Sequence, residues 1–313
     1  MTSAEATDWL ANLGAVRRHH PLAPHTTYRI GGPADWYLEA QSGFEILAAG
    51  CRQRGIPLTL LGNGSNLLIA DEGVEGLVVR PVDTSIEVRG DVIVAAAAAR
   101  MVKVAQAAEK AGLTGMEWAL GIPGTVGGSV HNNAGCFGSD IASTVVKAHG
   151  VTSEGEKTTW TREQCAFAYR TSALREGSLA GGLVTAGEFQ LRHGDPAAIR
   201  SQMEEVQRAR KATQPVTGRS TGSVFKNPPG DFAGRLIEEA GLKGRRIGGA
   251  MVSNEHANFI VNAGGATATD VAALVWLVQV AIEDRFGIRL EPEIEVLGRW
   301  PEGVPEAFRL EAA

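Results

Sequence analysis

The sequence predicts an α+β fold with more than one domain, from its composition and from the spacing of its apolar residues. Of the 313 residues, 44% are hydrophobic and 21% are charged, which is typical of a folded protein of two or three domains. Between residues 145 and 191, short β-prone runs are separated by charged turns. After residue 213 the pattern alternates, which predicts a compact unit with a helix at 232–240, a strand at 257–261, a helix at 269–286 and a strand at 289–297.

Start and stop signals place the other elements. Serine is favoured at the N-cap of a helix, and glycine is favoured at the position that follows its last turn. These signals predict a helix from Ser42 to Gly55, a strand at 58–61, a hairpin at 86–97 with its bend at 89–91, a helix from about Arg100 to Gly112, and a charged helix from Asp195-Pro196 to about Lys211.

Charge and cysteine usage exclude several classes of function. The formal net charge is −5, so the chain has no basic field to hold nucleic acid or an anionic membrane. The acidic N-terminus lacks the pattern of a secretory signal, and the apolar run at 271–282 is shorter than the ~20 residues that span a bilayer. Three cysteines without metal spacing favour a reducing compartment. We therefore expect a cytoplasmic protein without disulfides or a metal.

Two glycine-rich stretches, at 61–69 and 121–130, interrupt apolar segments. Glycine lets the backbone approach a ligand closely, so such turns can direct several N–H groups at one pyrophosphate. The first stretch reads Gly-x-Gly-x-x-Leu and lacks the third glycine of a Rossmann turn, and neither carries the Gly-Lys-Ser/Thr of a P-loop. Tight strand turns are the alternative for either stretch alone. Together they predict a large phosphorylated cofactor on another dinucleotide scaffold.

Three short segments concentrate reactive side chains, at 169–172, 222–228 and 290–295. They supply a cation in Arg170, a hydroxyl in Ser223 and a carboxyl from the run that contains Glu293. Glu291, Glu293 and Glu295 alternate in a strand pattern and would project to one face, so periodicity does not choose among them.

These motifs, in this order from about Thr26 to Gly298, closely resemble the UDP-N-acetylenolpyruvoylglucosamine reductase (MurB) family of flavoenzymes in bacterial cell-wall synthesis. The resemblance implies a two-part FAD-binding module of the vanillyl-alcohol oxidase (PCMH) type and a C-terminal α+β substrate-binding domain. We expect FAD-binding subdomains at 1–81 and 82–212, the substrate-binding domain at 213–303, and a tail at 304–313.

The family's motifs also imply which residues line the FAD. Asn63-Gly64-Ser65-Asn66 contains no histidine that could tether a flavin, so noncovalent FAD is expected. Uncharged Asn and Gly backbones suit pyrophosphate and flavin carbonyls. The implied FAD residues are Tyr28, Arg29, Gly31, Gly62, Asn63, Gly64, Ser65, Asn66, Leu67, Gly121, Ile122, Pro123, Gly124, Thr125, Gly127, Gly128, Asn133, Ala134 and Gly135.

The catalytic residues follow from the same resemblance. The family's proton donor falls on Ser223 and its catalytic glutamate falls on Glu293, for which we predict a raised pKa. Hydride transfer from flavin N5 to C3 of an enolpyruvyl ether leaves C2 in need of a proton. Arg170 is the natural partner for the pyruvyl carboxylate. A turn serine and a surface ion pair are the alternatives for Ser223 and Arg170.

Further residues are predicted to contact the sugar nucleotide: Tyr169, Lys226, Asn227, His256 and Asn258. A packed structural histidine is an equal alternative for His256. A solvated surface is favoured for Lys243, Arg245 and Arg246, and Cys136 is given no role. All three tyrosines precede residue 170, so the chain resembles the short-loop type II members without a tyrosine lid.

The resemblance therefore implies an FAD-dependent reductase that converts UDP-N-acetylglucosamine enolpyruvate to UDP-N-acetylmuramate with NADPH. NADPH would reduce FAD and leave before the sugar nucleotide enters. The absence of a Rossmann fingerprint agrees with the lack of a separate nicotinamide domain. An FAD-dependent oxidase of the vanillyl-alcohol oxidase type and a silent nucleotide-binding regulator are the alternatives. A monomer is expected.

Overall fold

The computed structural model of the protein describes residues 3–213 and 219–301, and the predicted tail at 304–313 lies outside them. The described residues form seven α-helices: α1 (Ser3–Ala11), α2 (Phe44–Arg54), α3 (Met101–Lys110), α4 (Val126–Asn132), α5 (Pro196–Thr213), α6 (Ala233–Glu239) and α7 (Ala268–Phe286). Short 3-10 helices lie at Ala23–His25, Glu117–Gly121 and Ile141–Ser143.

The strands are mostly short. They are β1 (Arg17–Pro21), β2 (Pro33–Ala40), β3 (Leu58–Leu60), β4 (Leu67–Ile69), β5 (Val74–Pro81), β6 (Ile86–Arg89), β7 (Val92–Ala96), β8 (Leu113–Thr114), β9 (Gly135–Cys136), β10 (Ser139–Asp140), β11 (Val145–Val151), β12 (Lys157–Thr161), β13 (Leu183–Gln190), β14 (Arg192–His193), β15 (Arg246–Ile247), β16 (Ala250–Val252), β17 (Ile260–Asn262) and β18 (Glu295–Leu297). This mixture confirms the predicted α+β class.

The chain divides into two compact units, and each unit is built from separate stretches of sequence. Unit one comprises Met1–Arg17, Trp36–Asn63 and Gly76–Ala212, and unit two comprises Arg18–Asp35, Gly64–Glu75 and Thr213–Ala313. The first glycine loop is therefore shared, because the division falls between Asn63 and Gly64. The finer division at residues 82 and 213 stays a prediction.

Unit one contains a five-stranded antiparallel sheet in the order β12-β11-β13-β7-β6. Strands β6 and β7 form the predicted hairpin, in which Arg89 pairs with Val92 across a bend at Gly90. Helix α3 buries Met101, Val104, Ala105 and Ala108, the i, i+3, i+4, i+7 spacing of one helix face. These residues join a core that includes Ile93, Trp118 and Phe189.

A second core in unit one lies around α2. Phe44, Leu47 and Cys51 of this helix pack with Leu77 and other apolar residues, while β3 runs parallel to β5. The helix ends at Gly55 in the left-handed conformation, as predicted. It begins one residue later than expected, because Gly43 rather than Ser42 is the cap residue, with φ 80° and no side-chain hydrogen bond.

Unit two is organised around α7, which the sequence predicted at 269–286. Thr267 and Asp270 form a reciprocal capping box at its start, and Gly287 ends it with φ 68°. The helix packs on the antiparallel sheet β15-β16-β17, and its core includes Val271, Leu274 and Ile282. Its apolar stretch is buried as a helix of the fold.

The predicted strands of unit two are shorter than expected. Strand β17 begins at Ile260, because residues 254–258 form bends and a turn and Phe259 makes an isolated bridge with Ser223. Only Glu295–Leu297 of the predicted strand at 289–297 is regular, in parallel pairing with β4. Pro292 lacks a backbone N–H and interrupts the ladder, although it still makes an isolated bridge with Phe225.

Among the described residues, no helix has both the length and the apolar character needed to cross a membrane.

Candidate active site

In unit one, the two glycine-rich stretches lie against each other. The Asn63 side-chain amide donates to the carbonyl of Pro123 at 3.0 Å. A Cβ at Gly62 would lie 2.8 Å from the Thr125 hydroxyl, so the backbone of the first stretch approaches the second closely. Residues about sixty positions apart thus form one surface, as the shared-ligand hypothesis requires.

The second stretch continues into α4, which carries polar groups that lack partners in the protein. Ser129 Oγ and Asn132 Oδ1 are buried, and no described residue hydrogen-bonds to either atom. Buried polar atoms are nearly always satisfied in folded proteins, so these two atoms point to a ligand or bound water beside α4.

Asn133, at the end of α4, ties this helix to neighbouring loops. It is buried, and φ is 45°. Its side-chain Oδ1 accepts from Ala142 N at 3.0 Å. Its side-chain Nδ2 donates to Ala168 O at 2.8 Å and to Asp140 Oδ2 at 3.1 Å. The side chain is thus engaged within the protein, and contact of the Asn133-Ala134-Gly135 motif with a cofactor stays a prediction.

The segment with Arg170 forms a tight turn in unit one. Ala168 and Thr171 exchange two backbone hydrogen bonds of 3.1 and 3.2 Å, which place Tyr169 and Arg170 at the two central positions. Arg170 has φ 59°, a conformation that costs a non-glycine residue about 1–3 kcal/mol. The guanidinium lies 5.3 Å from the centroid of the half-exposed Tyr169 ring. A strained arginine at such a position points to a function for its side chain.

Unit one also contains a cavity of about 630 Å³ that no sequence motif indicated. His149 lies on its wall, with Nδ1 3.1 Å from Thr159 Oγ1 and Nε2 3.2 Å from Glu188 Oε2. The lining residues come from strand ends and loops, which carry no local signature. They are Gln41, Ser42, Gly43, Phe44, Glu45, Pro81, Asp83, Ala97, His149, Gly150, Val151, Lys157, Thr158, Thr159 and Thr185.

In unit two, the predicted FAD residues around Tyr28 lie beside the second half of the first glycine loop. Gly64 O accepts from Thr27 N at 3.2 Å, and Asn262 donates to Tyr28 O at 3.0 Å. Tyr28 is fully buried, and this burial raises the pKa of its phenol. Arg29 has φ 57° and donates to the carbonyl of Pro24, so its guanidinium braces its own loop.

Asn66 joins this loop to the predicted catalytic glutamate. Its side-chain amide donates to Glu293 O at 3.1 Å, and its backbone carbonyl accepts from Glu295 N at 2.9 Å. Because β4 and β18 then pair in parallel, the loop and the glutamate run are held in register. Within unit two, the structure therefore brings a predicted cofactor loop and the Glu293 segment together.

Ser223 lies on an extended segment between two others. It bridges to Phe259 on one side, while Val224 O accepts from Glu293 N at 2.7 Å on the other. Ser223 is half-buried, whereas Val224 and Phe225 are both buried. The structure thus places Ser223 and Glu293 on neighbouring segments of unit two.

Lys226 and Asn227 have partners in this unit. Lys226 pairs with Glu291, and the lysine side chain is 13% exposed whereas the glutamate side chain is 39% exposed. Asn227 Oδ1 accepts from Ala233 N at 3.1 Å and satisfies a first-turn N–H of α6. Their predicted contacts with substrate stay predictions.

His256 is half-buried and packs on the Phe259 ring at a centroid distance of 4.8 Å. Its Nδ1 accepts from Asn258 N at 3.2 Å. Burial disfavours the imidazolium and lowers the pKa of His256, with a further contribution from Lys243. The ring is therefore neutral near pH 7, with Nε2 as its N–H donor.

The Asn258 side chain is committed to the backbone next to Ser223. It is buried, accepts from Phe225 N at 3.0 Å and donates to Phe225 O at 2.8 Å. Sequence reasoning placed this amide on the substrate, and that contact stays a prediction.

We expect Asn258→Ala to destabilise the protein, because it leaves two buried backbone groups of Phe225 without partners. Each such group costs about 1–3 kcal/mol, so the free energy of unfolding should fall by about 3 kcal/mol in denaturant titrations. Asn254 is exposed, and Asn254→Ala should change stability by less than about 0.5 kcal/mol. Equal stability of the two variants would contradict this role of Asn258.

Two other sequence expectations concern charge and sulfur. Lys243 pairs with Glu238 at 2.7 Å, and Arg245 and Arg246 are exposed, which agrees with a solvated surface. The Cys136 thiol donates to Trp118 O at 3.1 Å, and burial raises its pKa to about 11. A thiol with this pKa is neutral near pH 7, which agrees with the absence of a catalytic role.

Comparison with known proteins defines the class first. Residues 45–161 match the family model described as an FAD binding domain, so the chain is a flavoprotein. Residues 214–297 match the C-terminal domain of UDP-N-acetylenolpyruvoylglucosamine reductase.

Whole-chain similarity then defines the family. A UDP-N-acetylenolpyruvoylglucosamine reductase of Latilactobacillus sakei is 41% identical over 290 residues, covering 92% of this chain and 95% of the relative. A reductase of Symbiobacterium thermophilum is 44% identical over 292 residues, covering 92% and 94%. The crystal structure of the reductase (MurB) from Thermus caldophilus matches with a TM-score of 0.77 and 40% identity, covering 90% of this chain and 98% of that one. The chain belongs to the UDP-N-acetylenolpyruvoylglucosamine reductase family, whose members are FAD-containing oxidoreductases.

The residues of unit one fit FAD. The close approach of Gly62 to Thr125 brings the two glycine-rich stretches together, and Ser129 and Asn132 of α4 supply unsatisfied buried polar atoms. No histidine or cysteine of the first glycine loop could form a covalent flavin link, as expected for noncovalent FAD.

We expect Gly64→Ala to weaken FAD binding about tenfold, because a Cβ at this position would lie 2.6 Å from His25 O in a residue with φ 56°. The ratio of flavin to protein after purification measures the loss. Gly90 also has positive φ, 63°, but a Cβ there meets nothing within 4 Å. Gly90→Ala should keep its FAD, and loss of FAD from both variants would mean that unfolding is the cause.

Proposed function

We propose that the protein reduces UDP-N-acetylglucosamine enolpyruvate to UDP-N-acetylmuramate, with NADPH as the reductant. The observation that carries the proposal is the pairing of the Ser223 segment with the Glu293 segment, to which Asn66 of the glycine loop is tied. This arrangement gives a proton donor and a carboxyl group on adjacent segments. The family's reaction needs both.

When bound, FAD supplies the hydride that reaches C3 of the enolpyruvyl ether, after accepting two electrons from NADPH. Ser223 gives a proton to C2. Serine is a weak acid, so this transfer requires the strongly basic carbon that hydride addition creates. The extended backbone at Ser223, fixed on both sides, supports a donor that is held in one position.

Arg170 would bind the pyruvyl carboxylate. Its guanidinium stays charged at any working pH and can hold a carboxylate with two parallel hydrogen bonds. Negative charge grows on this group as hydride arrives, so the interaction is stronger in the transition state than in the ground state. The strained φ of Arg170 supports a role for its side chain beyond packing.

Glu293 would stabilise the enol form and share a proton with the substrate. This role needs a protonated or proton-sharing carboxyl, so a raised pKa for Glu293 is part of the proposal. Glu291 is paired with Lys226, whereas Glu295 lies in regular pairing with β4. The choice of Glu293 as the catalytic acid of the run rests on the family's motif.

Four other residues would bind the sugar nucleotide. Lys226 offers a partly shielded charge for a diphosphate, and neutral His256 offers an N–H for an uncharged group. Tyr169 presents an exposed ring next to Arg170, and the side-chain NH2 group of Asn227 can donate a further hydrogen bond.

We assign the cavity of unit one to the adenosine half of FAD. Two of its lining residues connect it to the glycine-rich stretches. Pro81 is the last residue of β5, which pairs with β3, and β3 leads into Gly62. Ala97 O accepts from Gly127 N of the second stretch at 3.0 Å. We further propose a cytoplasmic monomer, since NADPH is an intracellular reductant.

A comparison of turnover with UDP-N-acetylglucosamine enolpyruvate and with UDP-N-acetylglucosamine tests this function. NADPH absorbance should fall when UDP-N-acetylglucosamine enolpyruvate is added, and mass spectrometry should find a product with two additional hydrogens. UDP-N-acetylglucosamine lacks the double bond and should leave NADPH unchanged. NADPH consumption that is independent of the enolpyruvyl group would refute the proposal.

A further inference from the structure

The turn that carries Arg170 is held by contacts outside the turn itself. Arg170 occupies the second central position, where φ is 59° and glycine or asparagine is usual. The two hydrogen bonds between Ala168 and Thr171 close the turn but do not by themselves relieve the strain at Arg170. Persistent strain of this kind requires support from surrounding groups.

Arg175 provides this support on one side. Its Nη1 donates to the carbonyl of Arg170 at 2.8 Å, and its side chain is only 13% exposed. Its Nε also pairs at 3.1 Å with Glu176, whose side chain is 60% exposed. An ion pair with so exposed a carboxylate contributes little. The shielded bond to the Arg170 carbonyl is the stronger reason for placing a charged group here.

The turn is also held from the side of α4. Asn133 donates to the carbonyl of Ala168 at 2.8 Å, and Ser172 Oγ donates to His131 O at 2.6 Å. The residues before and after the Tyr169-Arg170 pair are thus fixed to one helix. The peptide carbonyl of Arg170 accepts from Arg175 Nη1, which supports the turn from another side.

We infer that Arg175 is a positioning residue: its guanidinium fixes the peptide of Arg170 and thereby directs the Arg170 side chain toward the substrate carboxylate. The inference rests on the proposed function, because it assigns Arg170 a carboxylate to bind. Without this bond the peptide between Arg170 and Thr171 keeps its N–H bond to Ala168 O but loses the contact on its carbonyl side, so the guanidinium samples more directions. Misplacement by about 1 Å can cost a reaction as much as about 100-fold.

Arg175→Met tests the inference, because methionine keeps the buried stem without a donor. We expect reoxidation of reduced flavin by the enolpyruvyl nucleotide to slow at least tenfold. Binding of UDP-N-acetylglucosamine, which lacks the carboxylate, should be unchanged, as should the FAD spectrum. Arg162 is exposed nearby, and Arg162→Met should behave as the wild type. Arg175→Lys keeps the charge and a donor, so it should recover part of the rate and decides the test if Arg175→Met fails to fold.

A double-mutant cycle separates positioning from general destabilisation. Glycine adopts the left-handed conformation without strain, so Arg170→Gly removes both the guanidinium and the need for support. Adding Arg175→Met to Arg170→Gly should then change the rate less than twofold. Full additivity of the two substitutions in their effect on the rate would overturn the inference. Equal weakening by Arg175→Met of the binding of UDP-N-acetylglucosamine and of the enolpyruvyl nucleotide would also overturn it. Failure of the wild type to be reoxidised by the enolpyruvyl nucleotide would instead refute the proposed function.

Discussion

Ser223→Ala is expected to slow reduction of the enolpyruvyl nucleotide about 1,000-fold, because the carbanion-like C2 then lacks its proton donor. Reduction of FAD by NADPH needs no proton from this hydroxyl and should keep its wild-type rate. Transient kinetics of the two half-reactions measures both effects in one variant. The backbone pairing of Ser223 with Phe259 does not involve the hydroxyl, so the fold should be preserved.

Ser220 supplies the matched control, because it lies three positions earlier on the same segment. Ser220→Ala should leave both half-reactions unchanged. Loss of flavin reduction in Ser223→Ala would show that the substitution damages the site as a whole. An unchanged second half-reaction would remove Ser223 from the mechanism.

Arg170→Met is expected to slow the same half-reaction about 100-fold and to raise the nucleotide concentration that it requires. Methionine is unbranched and can occupy the same backbone conformation, so the change isolates the loss of the guanidinium. The rate of flavin reoxidation as a function of nucleotide concentration separates binding from chemistry.

Arg162→Met is the control for this second prediction, since Arg162 is an exposed arginine of the same region. It should leave the reaction unchanged. If Arg170→Met weakened the binding of UDP-N-acetylglucosamine as strongly as the binding of the enolpyruvyl nucleotide, Arg170 would not be the partner of the carboxylate.

Elements with strong local signals were predictable from sequence. The hairpin at 86–97 follows from alternation around Gly90, and α7 follows from its capping box, its apolar face and Gly287. In these places the chemistry that decides the structure lies within a few residues. The glycine stretches were also recognisable, because their contact depends on backbone approach rather than on a particular side-chain partner.

Features that depend on distant partners were not predictable. The side-chain amides of Asn133 and Asn258 are hydrogen-bonded to backbone groups of other loops, and no local pattern reveals those partners. The left-handed Arg170 contradicts residue preference, and its turn is held by hydrogen bonds from residues outside the turn, including Arg175 and Asn133. The strand predicted at 289–297 is interrupted at Pro292, and only the structure shows that pairing resumes at β18.

The central claim is that one flavin accepts electrons from NADPH and passes them to the enolpyruvyl nucleotide. Anaerobic stopped-flow spectroscopy tests it most directly, with NADPH mixed first and the nucleotide second. The account predicts that the flavin colour bleaches with NADPH and returns rapidly only when the enolpyruvyl nucleotide is added. Colour that returns only with oxygen would contradict it and indicate an oxidase.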